Sequence, residues 1–324
     1  MLTHSDRRLR NSACSDQRYR YKVYGLIVES EIELPELVPA LDGPPQVVIH
    51  FGDVPEQLKE MIGEWSWCAA SSSEFMFAID GVARYYVSNG NKIIVERWIG
   101  LEASVPPADI RLWLLGSAFG ALLHQRGLLP LHVSAIRAPS GVWAFTGESG
   151  EGKSTLAGFL HRRYGWQLVS DDVSVIEQTC SATLIQPGPR KLKLRADALS
   201  HLDFRGCKSV RDLSNTDKFQ LYLADDRAYR PESLNALVIL ESVDARVPAS
   251  IERLKGVEAF DACMFAVYRS YMERWFKLPE QRISDLARLC RNIAVYRFRR
   301  PRSLAEFELN LQPLMNLMLN EGSR

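Results

Sequence analysis

Fourteen residues, Val142-Trp-Ala-Phe-Thr-Gly-Glu-Ser-Gly-Glu-Gly-Lys-Ser-Thr155, constrain this chain more than any other stretch. A short apolar run, Val142 to Phe145, reads as a strand, and Thr155 to Arg163 reads as a helix with an apolar face. Between them stands G-x-x-x-x-G-K-[ST], with Gly147, Gly152, Lys153 and Ser154 at the fixed positions. Three glycines in six residues (Gly147, Gly150, Gly152) let the backbone curl until successive N–H groups point inward. A helix N-terminus behind such a loop attracts anions. The stretch therefore predicts a strand–loop–helix that holds a polyphosphate, with Gly147, Glu148, Ser149, Gly150, Glu151, Gly152, Lys153, Ser154 and Thr155 as the nucleotide-binding set. Lys153 would sit on the β/γ-phosphates and the Ser154 hydroxyl would ligate Mg²⁺.

The 324 residues suggest two domains, and an apolar fraction of 46% supplies a real core. A net charge of +1 gives no global field toward nucleic acid or a membrane surface. Cys14, Cys68, Cys180, Cys207, Cys263 and Cys290 show neither C-x-x-C nor metal-like spacing with histidine. Reduced thiols in a cytoplasmic protein account for them most simply. The first twenty residues carry five arginines without an apolar core, so they read as a flexible arm rather than a secretory signal. The longest apolar stretch, Ile110 to Leu123, is too short and too interrupted to span a bilayer.

Residues 21–105 read as a β-rich domain. Tyr21 to Glu29 and Val47 to Phe51 have strand composition, with a turn at Leu34-Pro-Glu-Leu37. From Phe75 to Arg97, Asp80-Gly81 and Asn89-Gly-Asn91 separate three β-type runs, which predicts a meander. Residues 106–324 read as the catalytic domain, opening on a buried helix from Asp109 to Arg126. Leu128 to Ile136 is predicted as a strand with His132, Ser134 and Ile136 on one face. A strand histidine by itself is usually a satisfied structural residue.

After the loop helix, an apolar strand ends in Ser170-Asp171-Asp172. That is where a phosphate-loop protein places its metal-organising carboxylate, and two acids allow one to take a hydroxyl proton while the other holds Mg²⁺. A simple turn is the other reading. Lys191, Lys193 and Arg195 alternate on a strand face, to meet phosphate or an acidic substrate, or to be solvated; Lys218 is a weaker candidate of the same kind. Short buried strand composition follows at Leu237 to Leu240. Helices are expected over 256–276, 280–292 and 304–319, with a strand at Val295 to Arg300 whose basic exit reads as solvated edge chemistry.

Leu131 to Glu177 resembles the catalytic domain of the HPr serine kinase/phosphorylase family. The likeness consists of a histidine fifteen residues before the loop (His132 before Gly147), the loop GESGEGKS, and an Asp-Asp pair one strand later. The family's acid–base pair maps onto His132 and Asp171, and its loop lysine and serine onto Lys153 and Ser154. The whole chain also looks like a diverged branch that includes kinases of lasso-peptide precursors, which act on a C-terminal serine. It shares with them a YGLIVESEIELPEL-type opening and a YRFRRPRSLAEFE-type tail. The glycine-rich signature E-x-R-G-L-G that follows the aspartates in the HPr enzymes has no match; only Arg205-Gly206 is present.

The resemblance implies an α/β fold (α+β overall), with a P-loop kinase domain of HPr-kinase type behind a smaller β-rich domain. It implies an ATP- and Mg²⁺-dependent serine kinase acting on a peptide or protein, with no nucleic-acid or membrane partner, and the homo-oligomeric state of the HPr enzymes carries over only weakly. Asp171 is expected as general base, His132 as the group that tunes it, Lys153 as electrostatic catalyst, and Ser154 with Asp172 as metal ligands. The alternatives are a small-molecule kinase and a nucleotide-hydrolysing switch; neither N-K-x-D nor L-S-G-G-Q is present.

Overall fold

The computed structural model describes residues 17–65, 67–98, 105–204, 209–211, 218–222, 230–276 and 279–320. Most of the expected N-terminal arm, residues 1–16 with Cys14, lies outside these, as do Arg205-Gly206 and Cys207. Of the residues expected in that arm, Tyr19 and Arg20 instead belong to a strand. The fold is mixed α/β. Two compact units divide the chain, one of Met1–Gly127 with Tyr271–Lys277, the other of Leu128–Ser270 with Leu278–Arg324.

In the first unit a nine-stranded sheet runs in the order Val38–Pro39, Tyr19–Val23, Leu26–Ser30, Val47–Phe51, Lys92–Arg97, Ala83–Ser88, Glu74–Ile79, Cys68–Ala70, Gly63–Trp65. The three strands between Glu74 and Arg97 form the expected meander. Asn89 and Gly90 both take positive φ (53° and 63°) between the last two, the hand that matches strand twist. Tyr21 to Glu29, expected as one strand, is instead a hairpin turning at Tyr24-Gly25, both at positive φ. Tyrosine rarely adopts that conformation, so the turn carries no ordinary signal. Phe75, Phe77, Tyr85, Val87, Ile93 and Val95 alternate onto the buried face, and Phe77 stacks on Tyr85 at 4.7 Å.

The segment after Pro106-Pro107 is α-helical over Pro107–Trp113, opens into a π turn over Leu114–Ala118, and resumes as α over Phe119–Gln125. It belongs to this first unit. Its apolar residues are buried on nearly every side, as expected. Tyr85 Oη donates to Ile110 O at 3.0 Å and ties the helix to the sheet.

In the second unit, Glu232–Val243 is the central strand. It runs parallel to Gly141–Thr146 on one side and to Ala294–Pro301 on the other. Ser134–Ala138 and then Gln167–Ser170 follow beyond Gly141–Thr146. Thr183–Gln186, Ser174–Gln178 and Leu129–Leu131 extend the sheet from the other end of the central strand. Parallel strands need cover on both faces, and Gly141–Thr146 shows how the sequence supplies it. Trp143 and Phe145 enter a core with the loop helix Lys153–Tyr164 and the C-terminal helices. Val142 and Ala144 enter a second core with helices Gly256–Phe265 and Pro279–Asn292.

A separate three-stranded sheet, Lys191–Arg195 with Lys218–Tyr222 and Ser209–Arg211, lays Leu192, Leu194 and Leu221 on the first of these cores. Its opposite face carries the alternating lysines. Several elements end early or late relative to expectation. The helix expected to Phe276 stops at Phe265, because Val267 bridges Leu131 and the Tyr268 N–H donates to Pro130 O at 2.9 Å. The terminal helix is two pieces, Phe307–Asn310 and Gln312–Asn320; Pro313 has no N–H with which to continue the first. The short helix Ala196–His201 was not expected at all.

Trp143 is the largest fully buried side chain. It stacks on Tyr296 at 5.7 Å, and its indole N–H donates to Ser140 Oγ at 2.9 Å. Trp143→Ala is expected to cost about 3–5 kcal/mol, mostly as an unfilled cavity. Urea denaturation would measure it, and a loss below ~1 kcal/mol would show that this core collapses around the gap.

Candidate active site

The loop follows Gly141–Thr146 at the sheet's C-terminal edge and runs straight into the helix Lys153–Tyr164. Its conformation requires glycine at both ends. At Gly147 φ is 148°, and a Cβ would stand 2.8 Å from Leu240 O; at Gly152 φ is 81° and a Cβ would stand 2.8 Å from an Arg300 nitrogen. Glu148, Ser149 and Gly150 form an exposed crest, while Glu151, Gly152, Ser154 and Thr155 are half-buried. Lys153 is 8% exposed and folds back over the loop, donating from Nζ to Gly147 O at 2.8 Å and Glu148 O at 3.2 Å. Burial lowers its pKa, and the nearby Asp171 and Asp172 carboxylates work against that.

Asp171 and Asp172 follow Gln167–Ser170, the strand beside Ser134–Ala138. Neighbours in sequence, they meet different surroundings. Asp171 is fully buried. Its Oδ1 accepts from Ser154 Oγ at 2.8 Å and from Ser134 Oγ at 2.5 Å, and its Oδ2 accepts from the Lys193 backbone N–H at 2.8 Å. Burial raises its pKa against these three donors, and the charge of Asp172 adds to the rise.

Asp172 turns the other way, with φ at 82°, a left-handed conformation that aspartate tolerates better than most residues. Its side chain is 23% exposed; Oδ2 accepts from Lys193 Nζ at 2.9 Å, and Oδ1 lies 3.7 Å from His132 Nε2. Burial would raise this carboxyl, but Lys193, then His132 and Lys191, outweigh it and hold it well below the usual carboxylate range. Because His132 is itself neutral at pH 7, the lysines carry that effect there.

His132 sits in a break between Leu129–Leu131 and Ser134–Ala138, where one continuous strand was expected. Alternation survives the break. Leu131, Val133 and Ala135 enter one core and Ile136 the other, so His132 and Ser134 both reach the acidic pair. The His132 ring meets Tyr268 edge-on at 6.0 Å. Burial, partly offset by Asp172, pushes its pKa down to about 4.

The unfolded chain therefore binds more protons than the folded one between about pH 6.5 and pH 4, and stability falls as pH is lowered through that window. With 40% of the side chain exposed, solvent screening trims the effect. His132→Gln is expected to flatten the decline, read from urea midpoints at pH 7 and pH 5. Equal declines in the two proteins would remove His132 as its source.

The site thus gathers His132, Lys153, Ser154, Asp171 and Asp172, all named from the sequence. To these it adds Ser134 and Lys193 as direct partners of the aspartates. Ser134 shares the face on which period two places His132, so that signal was available. Lys193 was one of three equivalent cations, with Lys191 and Arg195, and nothing in the sequence singles it out. Ser154 Oγ and the adjoining carboxylates are hard oxygen donors that suit Mg²⁺. Among the described residues no group of three His, Cys, Asp or Glu side chains could hold a metal. A cation here would take most of its ligands from phosphate oxygens and water.

No family model matches this sequence, and no curated protein matches it. Among solved structures the chain is similar to the Hpr(Ser) kinase/phosphatase from Coxiella burnetii, with 11% identity and a TM-score of 0.29, over 58% of this chain and 94% of that one. A likeness so distant carries no functional argument, which rests on the residues themselves. No helix among the described residues is long and apolar enough to cross a membrane.

Proposed function

We propose that this chain is an ATP- and Mg²⁺-dependent kinase that transfers the γ-phosphoryl group to a hydroxyl, most simply a serine of a peptide or protein. One observation carries the reading. On consecutive residues, one carboxylate is committed to the phosphate loop through Ser154, and the next, partly exposed, stands beside His132 and Lys193. A nucleotide-binding module needs only the first. A phosphoryl transferase needs both, one to organise the metal side and one to receive the acceptor's proton.

In this reading the division of labour differs from the one the family resemblance implies. Asp171, with its oxygens held by Ser134, Ser154 and the Lys193 amide, has no free face for an acceptor and serves as the metal-side carboxylate. Asp172 is the base, and Lys193 keeps it ionised. Neutral His132 orients the incoming hydroxyl or passes on its proton. On nucleotide entry the Lys153 ammonium leaves the Gly147 and Glu148 carbonyls for the phosphates, where it offsets charge spreading over the transferring group. Ser154 would hold Mg²⁺, which would supply further stabilisation of that charge.

The finer reading, a lasso-peptide precursor phosphorylated on its C-terminal serine in the cytoplasm, rests on the sequence resemblance. Incubation with γ-labelled ATP and a peptide ending in serine tests both levels. Label on the peptide supports the full reading. Label on a small alcohol moves the acceptor class, and free phosphate alone replaces the kinase with a hydrolysing switch.

A further inference from the structure

The strand Ala294–Pro301 and its basic exit, expected to be solvated, divide their arginines between two tasks. Arg297 and Arg299 pair with Glu241 and Glu252. Arg300 and Arg302 reach the phosphate loop instead. Arg300, 5% exposed, donates from Nη2 to Glu151 O at 3.0 Å, passes beneath Gly152, and lies 5.1 Å from the Phe307 ring centre.

The Glu151 carboxylate is drawn out of the loop. Oε1 accepts from Arg302 Nη2 and Oε2 from Ser242 Oγ, both at 2.6 Å. Arg302 Nε donates to Ser242 Oγ at 2.8 Å, closing a three-residue ring. Burial would raise the Glu151 carboxyl, but Ser242 and Arg302 outweigh it and bring it below its ordinary value.

A carboxylate inside a loop that receives phosphates is an electrostatic liability, because like charges at short range repel. Glu151 is ionised, and its side chain is only 13% exposed. Its surroundings decide where that charge points. We propose that Ser242 and Arg302 are positioning residues that turn and neutralise Glu151 while Arg300 fixes its carbonyl, so that the last strand tunes the loop's affinity for polyphosphate. The proposal rests on the reading of residues 147–155 as a nucleotide site. Arg302 acts through Glu151 and need not touch the nucleotide.

That indirectness gives the test its signature. Arg302→Gln leaves Glu151 charged and unrestrained, and is expected to weaken Mg·ATP binding on the order of tenfold, by calorimetric titration of the full chain. Its KM for ATP should rise while kcat at saturating ATP stays close to wild type. Adding Glu151→Gln removes the liability, so the double variant should recover most of the lost affinity. Arg299→Gln, a control on the strand that precedes Arg302, should bind as wild type does.

Arg302 is 60% exposed, so replacing it leaves the core intact. Unchanged affinity in Arg302→Gln would overturn the proposal. So would a double variant as weak as the single, which would make Arg302 a direct nucleotide ligand. Amide exchange over residues 148–152, measured without nucleotide, separates this proposal from the functional reading. It should quicken in Arg302→Gln whether or not ATP binds. A wild-type chain that ignores ATP would remove the kinase, and unchanged exchange would remove the brace.

Discussion

Lys153→Ala is expected to lower phosphoryl transfer about 10³-fold or more, because it deletes the ammonium that meets the phosphates. The side chain is 8% exposed, so its charge acts in a poorly screened setting and counts for more than a surface lysine would. Its present partners are the carbonyls of Gly147 and Glu148, which a nucleotide would displace. The substitution adds no strain at the start of the helix, where alanine is the best helix former. Lys153→Met keeps the apolar stem and loses only the charge, and it should fail to the same degree. Single-turnover transfer from γ-labelled ATP, with a thermal melt to confirm folding, would measure both. Transfer by Lys153→Met within about tenfold of wild type would place the phosphates elsewhere.

The second large effect separates the two aspartates. Asp172→Asn is expected to lose about 10²–10⁴-fold in turnover, the usual worth of a general base, while binding nucleotide normally. Asparagine accepts the left-handed conformation at this position, so the backbone gives no competing reason for failure. Asp171→Asn should behave differently. The buried carboxylate accepts from Ser134, Ser154 and the Lys193 amide. An amide group there puts N–H donors against donors and costs about 1–3 kcal/mol for each buried group left unpaired. That variant should melt earlier and bind Mg·ATP poorly. An Asp171→Asn protein of normal stability and nucleotide affinity but no turnover, beside an active Asp172→Asn, would return the base to Asp171, as the family resemblance implies.

What could be read from the sequence follows the range of the interactions involved. The strand, loop and helix from Gly141 to Tyr164 are local, and glycine spacing with flanking apolar runs declares them. The turn at Asn89-Gly90 is declared by residues that tolerate positive φ, whereas Tyr24-Gly25 makes a similar turn with a tyrosine that gives no warning. Leu237 to Leu240 is only the most apolar part of a strand that runs from Glu232 to Val243, since its ends reach polar residues whose pairing is decided by distant strands. The residues of the candidate site were legible, but the surroundings that set its two aspartates apart were not. Asp171 and Asp172 are equivalent in a string of letters. They differ because the backbone turns at Asp172 and because Ser134 and Lys193 come from other strands.

The hold on the phosphate loop also has a consequence in time. Arg300 and Arg302 reach back to Glu151 across 149 and 151 positions. A growing polypeptide emerges from its N-terminus, so it carries the complete loop and helix long before the residues that restrain Glu151 exist. From residue 151 to residue 302 the growing chain carries the loop's acidic side chain without Arg302, and under the proposed reading tight capture of nucleotide waits for that closing segment. Under that reading, the order of translation sets when the loop becomes competent.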